Sequence, residues 1–352
     1  MKALLLLGGF GTRLRPFTIT TPKALLPIVN YPFISYQFEL LKNYGIVDVV
    51  LGVGYKGDDF KKAIEIGKQM GIKVYLSYEK KPLGTGGGIK NAEKFLKGKD
   101  PFFVFNGDVL ADFNLEKILN FHKEKNAFIT IGMIKVPDPS SYGLILTDDD
   151  MKIIKFIEKP KKEEIITDTV NAGVYIFQPE VLEEIPENKE VSVEKETFPQ
   201  ILQKGKDMYG YIHYGYWLDV GTIDKYKKGN FDLIDGKIEL LYKKSEKNIE
   251  KKDNVLIGNN VIVEGKLIAD ENVIIGENSI FKGKVIIGKK SFIGKNCIIE
   301  NSIIFGNVFI GDECIIENSI IGDSVIIRNN CLVKNSAIGD NSYINQFSKI
   351  SE

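Results

Sequence analysis

The stretch IIGKKSFIGKNCIIENSIIFGNVFIGDECIIENS (Ile286–Ser319) repeats itself at an interval of 17 residues. Isoleucine recurs at 287, 304, 321 and 338 and again at 293, 310, 327 and 344, while Ile299, Ile316, Val333 and Ile350 make a third column. Within each step the spacing is six, six and five. A hexapeptide period of this kind suits a parallel β-helix with three flat sides, each side turning one apolar residue inward, so that the core grows coil by coil. The expectation is a left-handed parallel β-helix over residues 254–352. Cys297, Cys314 and Cys331 share the 17-residue interval, each four residues after a column isoleucine. In-register coils hold equivalent residues about 4.8 Å apart, which is long for the Cβ separation of a disulfide. Three thiols in a line do not make a tetrahedral metal site, so these cysteines read as small interior packing residues.

Residues 1–235 follow a different grammar. Short apolar runs at Ala3–Leu7, Val47–Val53, Lys73–Tyr78, Phe102–Phe105, Phe128–Ile134 and Val174–Phe177 predict strands. Amphipathic segments at Ile34–Tyr44, Asp58–Gln69, Gly88–Leu96 and Leu115–Lys125 predict helices between them, which gives an α/β sheet with crossovers. The two halves are joined by GKIELLYKKSEKNIEKKD (236–253), whose six lysines predict a helical or solvated connector.

Composition narrows the function. With 352 residues, 43% hydrophobic and 27% charged, the chain can bury a sizeable core and is long enough for two domains. Lys+Arg (47) balances Asp+Glu (47), so nucleic acid and anionic membrane are not expected partners, and any anion site must be built locally. No apolar stretch approaches the roughly 20 residues of a membrane span, and a cytoplasmic location is expected.

The local anion site is visible at the start. LLLLGGFGTRLRPFTITTPKALLP (Leu4–Pro27) runs from an apolar strand into a glycine-rich turn. It lacks the third glycine of a dinucleotide fingerprint, since Leu14 stands there, and it lacks the Gly-Lys-Ser/Thr of a P-loop. What remains is Gly8, Gly9, Gly11 and Thr12, whose backbone N–H groups can approach phosphate oxygens. Arg13 and Lys23 add a fork and a point charge suited to a polyphosphate. Pro16, Pro22 and Pro27 stiffen the loop that carries them.

This opening resembles the signature of the sugar-1-phosphate nucleotidyltransferases (NDP-sugar pyrophosphorylases), G-G-x-G-T-R-L-x-P-x-T followed by P-K-x-L-x-P. The resemblance continues through PLGTGG (82–87), NGD (106–108), YG (142–143), EKP (158–160), NAG (171–173) and WLDVGT (217–222). It implies a Rossmann-like, mixed-sheet nucleotidyltransferase domain over 1–235 ahead of the β-helix domain. It also implies Mg²⁺ held by Asp108 and Asp219, each of which ends an apolar run where ligands of open α/β sheets bind. Arg13 and Lys23 would then act with these aspartates in catalysis, Gly84 and Thr85 would lie beside the base, and Gly143, Glu158, Lys159 and Asn171 would receive the sugar phosphate.

Within the family, the opening motif, the SVEKETFP segment (192–199) and the short β-helix tail look most like the guanylyltransferases that join GTP and mannose 1-phosphate into GDP-mannose. NGD in place of NSD and GTGGG in place of GTAG leave room for glucose 1-phosphate with UTP, dTTP or ATP. A catalytically silent nucleotide-sugar sensor is the alternative of another class, but its expected mark, a damaged cation loop or missing aspartate, is absent from the sequence. A β-helix acyltransferase would need a histidine base, and residues 251–352 contain none. His122 and His213 read as surface or packing residues. The exposed side and open end of a β-helix predict a homo-oligomer.

Overall fold

Apolar, β-branched and aromatic runs become a nine-stranded mixed sheet in the computed structural model, which describes residues 1–54 and 57–351. Glu352, the end of the expected β-helix, lies outside the described residues. Two compact units are formed: Met1–Phe10 with Ile34–Asp219, and Gly11–Phe33 with Val220–Glu352.

In the first unit the strands are β1 (Lys2–Leu6), β2 (Asp48–Val53), β3 (Lys73–Tyr78), β4 (Phe102–Asn106), β5 (Val109–Ala111), β6 (Ile129–Lys135), β7 (Gly143–Thr147), β8 (Ile153–Glu158), β9 (Thr169–Phe177), β10 (Met208–Ile212) and β11 (Trp217–Asp219). The sheet order is β8-β7-β9-β4-β1-β2-β3, with β6 on β9 and β10 on β6. β4, β1, β2 and β3 are parallel, as crossover connections require, and β9 turns the sheet antiparallel. β5 and β11 form a separate antiparallel pair.

Two elements differ from expectation. β9 begins at Thr169 rather than Val174, because Asn-Ala-Gly is carried inside the strand as a bulge, with the register shifting between Asn171 and Tyr175. The helix expected from Gly88 begins at Gly84 and breaks at Ala92 before a last turn at Glu93–Leu96.

The second unit contains the parallel β-helix. Column residues Ile287, Ile304, Ile321 and Ile338 pair in register, as do Ile293, Ile310, Ile327 and Ile344. The 17-residue step holds only for the later coils. Earlier ones step by 18, as in Ile262↔Ile280↔Ile298, and one residue is lost at the corner where Gly265 and Gly283 give way to Asn301. The corners are left-handed backbone, filled by glycine or mostly asparagine, which tolerates that conformation. The three cysteines are free and buried, as packing residues should be.

The connector is neither helical nor wholly solvated. Ile238, Leu240 and Tyr242 are buried, the Tyr242 hydroxyl donates to Glu250 at 2.8 Å, and Ile249–Lys251 joins the first coil as a strand. Residues Gly11–Phe33 belong to this same unit. Phe17 packs on Phe305 with ring centroids 5.1 Å apart, the Thr20 hydroxyl donates to the Asp340 carboxylate, and Asn30 donates to the Ile287 carbonyl at 3.2 Å. Among the described residues no helix is long and apolar enough to cross a membrane.

His122 is not on the surface. Fully buried, it places Nδ1 at 2.9 Å from the Thr130 hydroxyl and Nε2 at 3.0 Å from the Gln178 amide, and burial pushes its pKa down to about 4 from 6.5. His213 stacks on Phe113 at 4.0 Å. A depressed histidine pKa means that the unfolded chain takes up a proton which the folded chain refuses. Its contribution is therefore complete above about pH 6.5 and is lost as pH falls toward about 4. Denaturant unfolding should show stability declining by up to about 3 kcal/mol across that window. His122→Asn should flatten this part of the pH profile, and an unchanged profile would remove His122 as its source.

Candidate active site

Backbone pairing brings the two aspartates together. β11 runs antiparallel to β5 with Asp219 opposite Val109, the residue after Asp108. β4 ends at Asn106, so Asp108 stands at the carboxyl edge of the parallel strands. Asp219 is oriented by the Tyr142 hydroxyl, which donates to its Oδ1 at 3.0 Å. Tyr142 packs edge-on against Trp217 at 5.5 Å, and the Trp217 indole N–H donates to the Ala172 carbonyl at 2.9 Å. The YG, NAG and WLD segments are thereby tied into one constellation.

A second cluster gathers Thr85, Glu158 and Asn171. The helix Gly84–Asn91 starts against the segment 189–197, with the Gly86 N–H donating to the Val191 carbonyl at 2.8 Å. The Thr85 hydroxyl donates to Glu194 Oε2 at 2.7 Å and accepts the Val193 N–H at 2.9 Å. Ser192 donates to the same Glu194 oxygen at 2.9 Å. Residues Val193–Thr197 form a π-helical turn, a rare conformation often found at functional sites.

Asn171 donates to the Tyr175 hydroxyl at 2.8 Å and accepts the Gly173 N–H at 2.9 Å. Burial, and then the Glu194 charge, push both Glu158 and Tyr175 above their ordinary pKa values. Gly143 pairs with Glu158 across β7 and β8, so close that a Cβ there would lie 2.8 Å from its Oε2. Lys159 follows in left-handed backbone, φ 48°, and its charge partly offsets the repulsion on Glu158.

Gly8 and Gly9 follow β1 in the first unit, while Gly11, Thr12, Arg13 and Lys23 belong to the second. Arg13 and Thr12 are exposed, and Lys23 is half-buried on a short 3₁₀ turn.

Two carboxylates escaped the sequence reading. Glu194 lies inside the SVEKETFP segment, and its link to Thr85, 109 residues away in sequence, is made only by the fold. Glu79 lies just past β3, half-buried, with Gly8 and Gly88 against its side chain. Burial raises its pKa and the Leu83 N–H, 3.2 Å from Oε2, lowers it in part.

A family model described as "Nucleotidyl transferase" matches residues 2–236. The chain belongs to this family. A second model, "GMPPB C-terminal domain", matches residues 263–352. The nucleotidyl transferase is 40% identical over 237 residues to a protein named mannose-1-phosphate guanylyltransferase from Mycobacterium tuberculosis, a match covering 67% of this chain and 65% of that relative's length. It is 40% identical over 266 residues to a mannose-1-phosphate guanyltransferase from Saccharomyces cerevisiae, covering 74% of this chain and 71% of the relative. Among solved structures, HddC from Yersinia pseudotuberculosis complexed with GMP-PN superposes with a TM-score of 0.57 at 28% identity, covering 66% of this chain and 98% of that one. Nucleotidyltransferases of this kind generally use a divalent metal. Asp108 and Asp219 fit one: they offer oxygen donors only. Among the described residues no group of three or more His, Cys, Asp or Glu is placed to hold a metal ion.

Gly84 of this nucleotidyl transferase has φ +69°, and a Cβ there would lie 2.5 Å from the Val191 carbonyl oxygen. Gly84→Ala should displace the 189–197 segment and lower both thermal stability and nucleotide affinity, whereas Gly98→Ala, in open surroundings, should change neither. Equal melting temperatures and nucleotide titrations for the two variants would remove the constraint assigned to Gly84.

Proposed function

We propose that this protein is a mannose-1-phosphate guanylyltransferase, converting GTP and mannose 1-phosphate to GDP-mannose and pyrophosphate. The reading is carried by the 40% identity to proteins of that name, within a chain whose nucleotidyl transferase match (2–236) includes every site residue named above. A phosphate oxygen of the sugar phosphate attacks the α-phosphorus of GTP, the new P–O bond forms, and the bond to the β-phosphate oxygen breaks as pyrophosphate leaves. No covalent enzyme intermediate is needed.

Asp108 and Asp219 would hold Mg²⁺, which when bound supplies positive charge to the triphosphate. Tyr142 keeps Asp219 in place through its 3.0 Å hydrogen bond. Glu158 and Asn171 offer an acceptor and an amide to sugar hydroxyls, and Lys159 neutralises the incoming phosphate so that two anions can meet. Gly8, Gly9, Gly11 and Thr12 supply backbone N–H groups, and Arg13 and Lys23, by the signature they belong to, stabilise charge on the triphosphate and the leaving group. Gly84 and Thr85 border the base.

The test is pyrophosphate release with Mg²⁺ across GTP, UTP, dTTP, ATP and CTP against mannose, glucose and N-acetylglucosamine 1-phosphates. GTP with mannose 1-phosphate should dominate. A glucose 1-phosphate maximum would overturn the sugar assignment, and silence with retained nucleotide-sugar binding would make the protein a sensor. Asp108→Asn should reduce turnover about a hundredfold or more without unfolding the chain; near-normal turnover would exclude Asp108 from the mechanism.

Homo-oligomerisation belongs to the same reading. Leu256, Ile274, Phe292, Phe309, Ile326 and Tyr343 pair in register along one β-helix side, and five of them are exposed by 37–63%. Such a column favours burial against another apolar surface. Light scattering should give a mass above 39.5 kDa, and a monomer at that mass would end the claim.

A further inference from the structure

Gln37 is a polar side chain shut away from water. It lies in the helix Phe33–Asn43 and is 5% exposed, where Ile34, Tyr36, Phe38 and Leu41 are buried as well. A methionine would fill a similar volume without the cost of taking an amide out of water. Part of that cost is not recovered within the fold, because among the described residues Oε1 meets no hydrogen-bond partner. Packing therefore does not explain the glutamine, and the use of its donor end must.

That donor end is spent on one turn. Nε2 donates to the Asn106 carbonyl and to the Val109 carbonyl, each at 3.3 Å. Asn106 ends β4 and Val109 begins β5, so Gly107 and Asp108 are the whole turn between them. The amide spans the base of the turn that carries Asp108. The end of β1 holds the same turn independently: the Gly107 N–H donates to the Leu6 carbonyl at 3.0 Å, and a Cβ on Gly107 would lie 1.9 Å from Leu7 Cδ2. Val109 is also the residue paired with Asp219. One side chain thus grips the backbone before and after Asp108, and its second contact is the register partner of Asp219.

Resting on the reading that Asp108 and Asp219 hold the divalent metal, we propose that Gln37 is a positioning residue for this pair of aspartates. Rotation of either gripped peptide would swing the Asp108 side chain and change its separation from Asp219. Mg²⁺ tolerates little of that, since it demands near-octahedral geometry from its oxygens. A group that orients a ligand before the ion arrives spares binding the cost of ordering it. The amide does so without adding charge, which leaves both carboxylates to the cation. Glutamate, close in shape, would not serve, because an ionised carboxylate has no proton to give the two carbonyls. In this role Gln37 touches neither metal nor substrate.

Mn²⁺, which also takes oxygen ligands and is visible by electron paramagnetic resonance, is titrated into the full chain with GDP-mannose, where no turnover occurs. Gln37→Met should raise the Mn²⁺ dissociation constant about tenfold or more, and the Mg²⁺ half-saturation of pyrophosphate release by a similar factor. At saturating Mg²⁺ its kcat should return close to the wild-type value, with the KM for mannose 1-phosphate unchanged. General damage to the fold would not be repaired by the ion. Gln37→Glu should weaken Mn²⁺ in the same way, and it decides the matter if Gln37→Met does not fold. Wild-type metal constants in a folded Gln37 variant overturn the proposal, as does a loss of kcat that saturating Mg²⁺ leaves in place. If Asp108→Asn binds Mn²⁺ as tightly as the wild type, the metal reading falls and this proposal with it. Preference for a nucleotide other than GTP overturns the guanylyltransferase reading alone, since the Mg²⁺ half-saturation of Gln37→Met with that nucleotide still decides the role of Gln37.

Discussion

A three-residue antiparallel pairing, Trp217–Asp219 on Val109–Ala111, is the constraint on which the site depends. It converts two aspartates from distant parts of the chain into neighbours at the carboxyl edge of the parallel strands. Backbone register does this, so the positions of the carboxylates do not rest on flexible side chains alone. The Tyr142 hydroxyl and the Trp217 indole then fix the pair from two further segments. Loss of the pairing would release the aspartates and the ring contact between Tyr142 and Trp217 together.

The remainder of the site shows local charge set against global neutrality. Glu158 is held near Glu194, and burial raises its pKa before their repulsion adds to it. Such an arrangement costs stability in the absence of a partner. The π-helical turn at Val193–Thr197 helps to present Glu194, whose Oε2 takes hydrogen bonds from Ser192 and Thr85.

Much of this was legible in the residues, and the exceptions have physical reasons. The strands of the parallel half and the columns of the β-helix could be read because burial imposes a strict period on them. The change from 18- to 17-residue coils was not, because a single residue lost at a corner leaves the inward columns undisturbed. The strand expected at Val174–Phe177 is the regular end of β9; the residues before it are joined to it through a bulge, which interrupts the apolar run. The aspartates were found through motifs. Glu79 was missed because its significance comes from Gly8 and Gly88, neighbours only in space. The buried stretch of the connector was hidden by the lysines around it, which set its average polarity but not the fate of Ile238, Leu240 and Tyr242.

The membership of Gly11–Phe33 in the second unit bears on how the protein is made. Thr20 precedes its partner Asp340 by 320 residues, and Phe17 rests on Phe305. At about 5–20 residues per second, roughly 15–60 s separate the emergence of that loop from the ribosome and the emergence of the coil that holds it. Through that interval the segment carrying Arg13 and Lys23 lacks these tethers, although β1, β2 and β3 are already available to pair. Translation therefore orders assembly: the sheet can form early, and the signature loop gains its final packing only when the last coils have been synthesised.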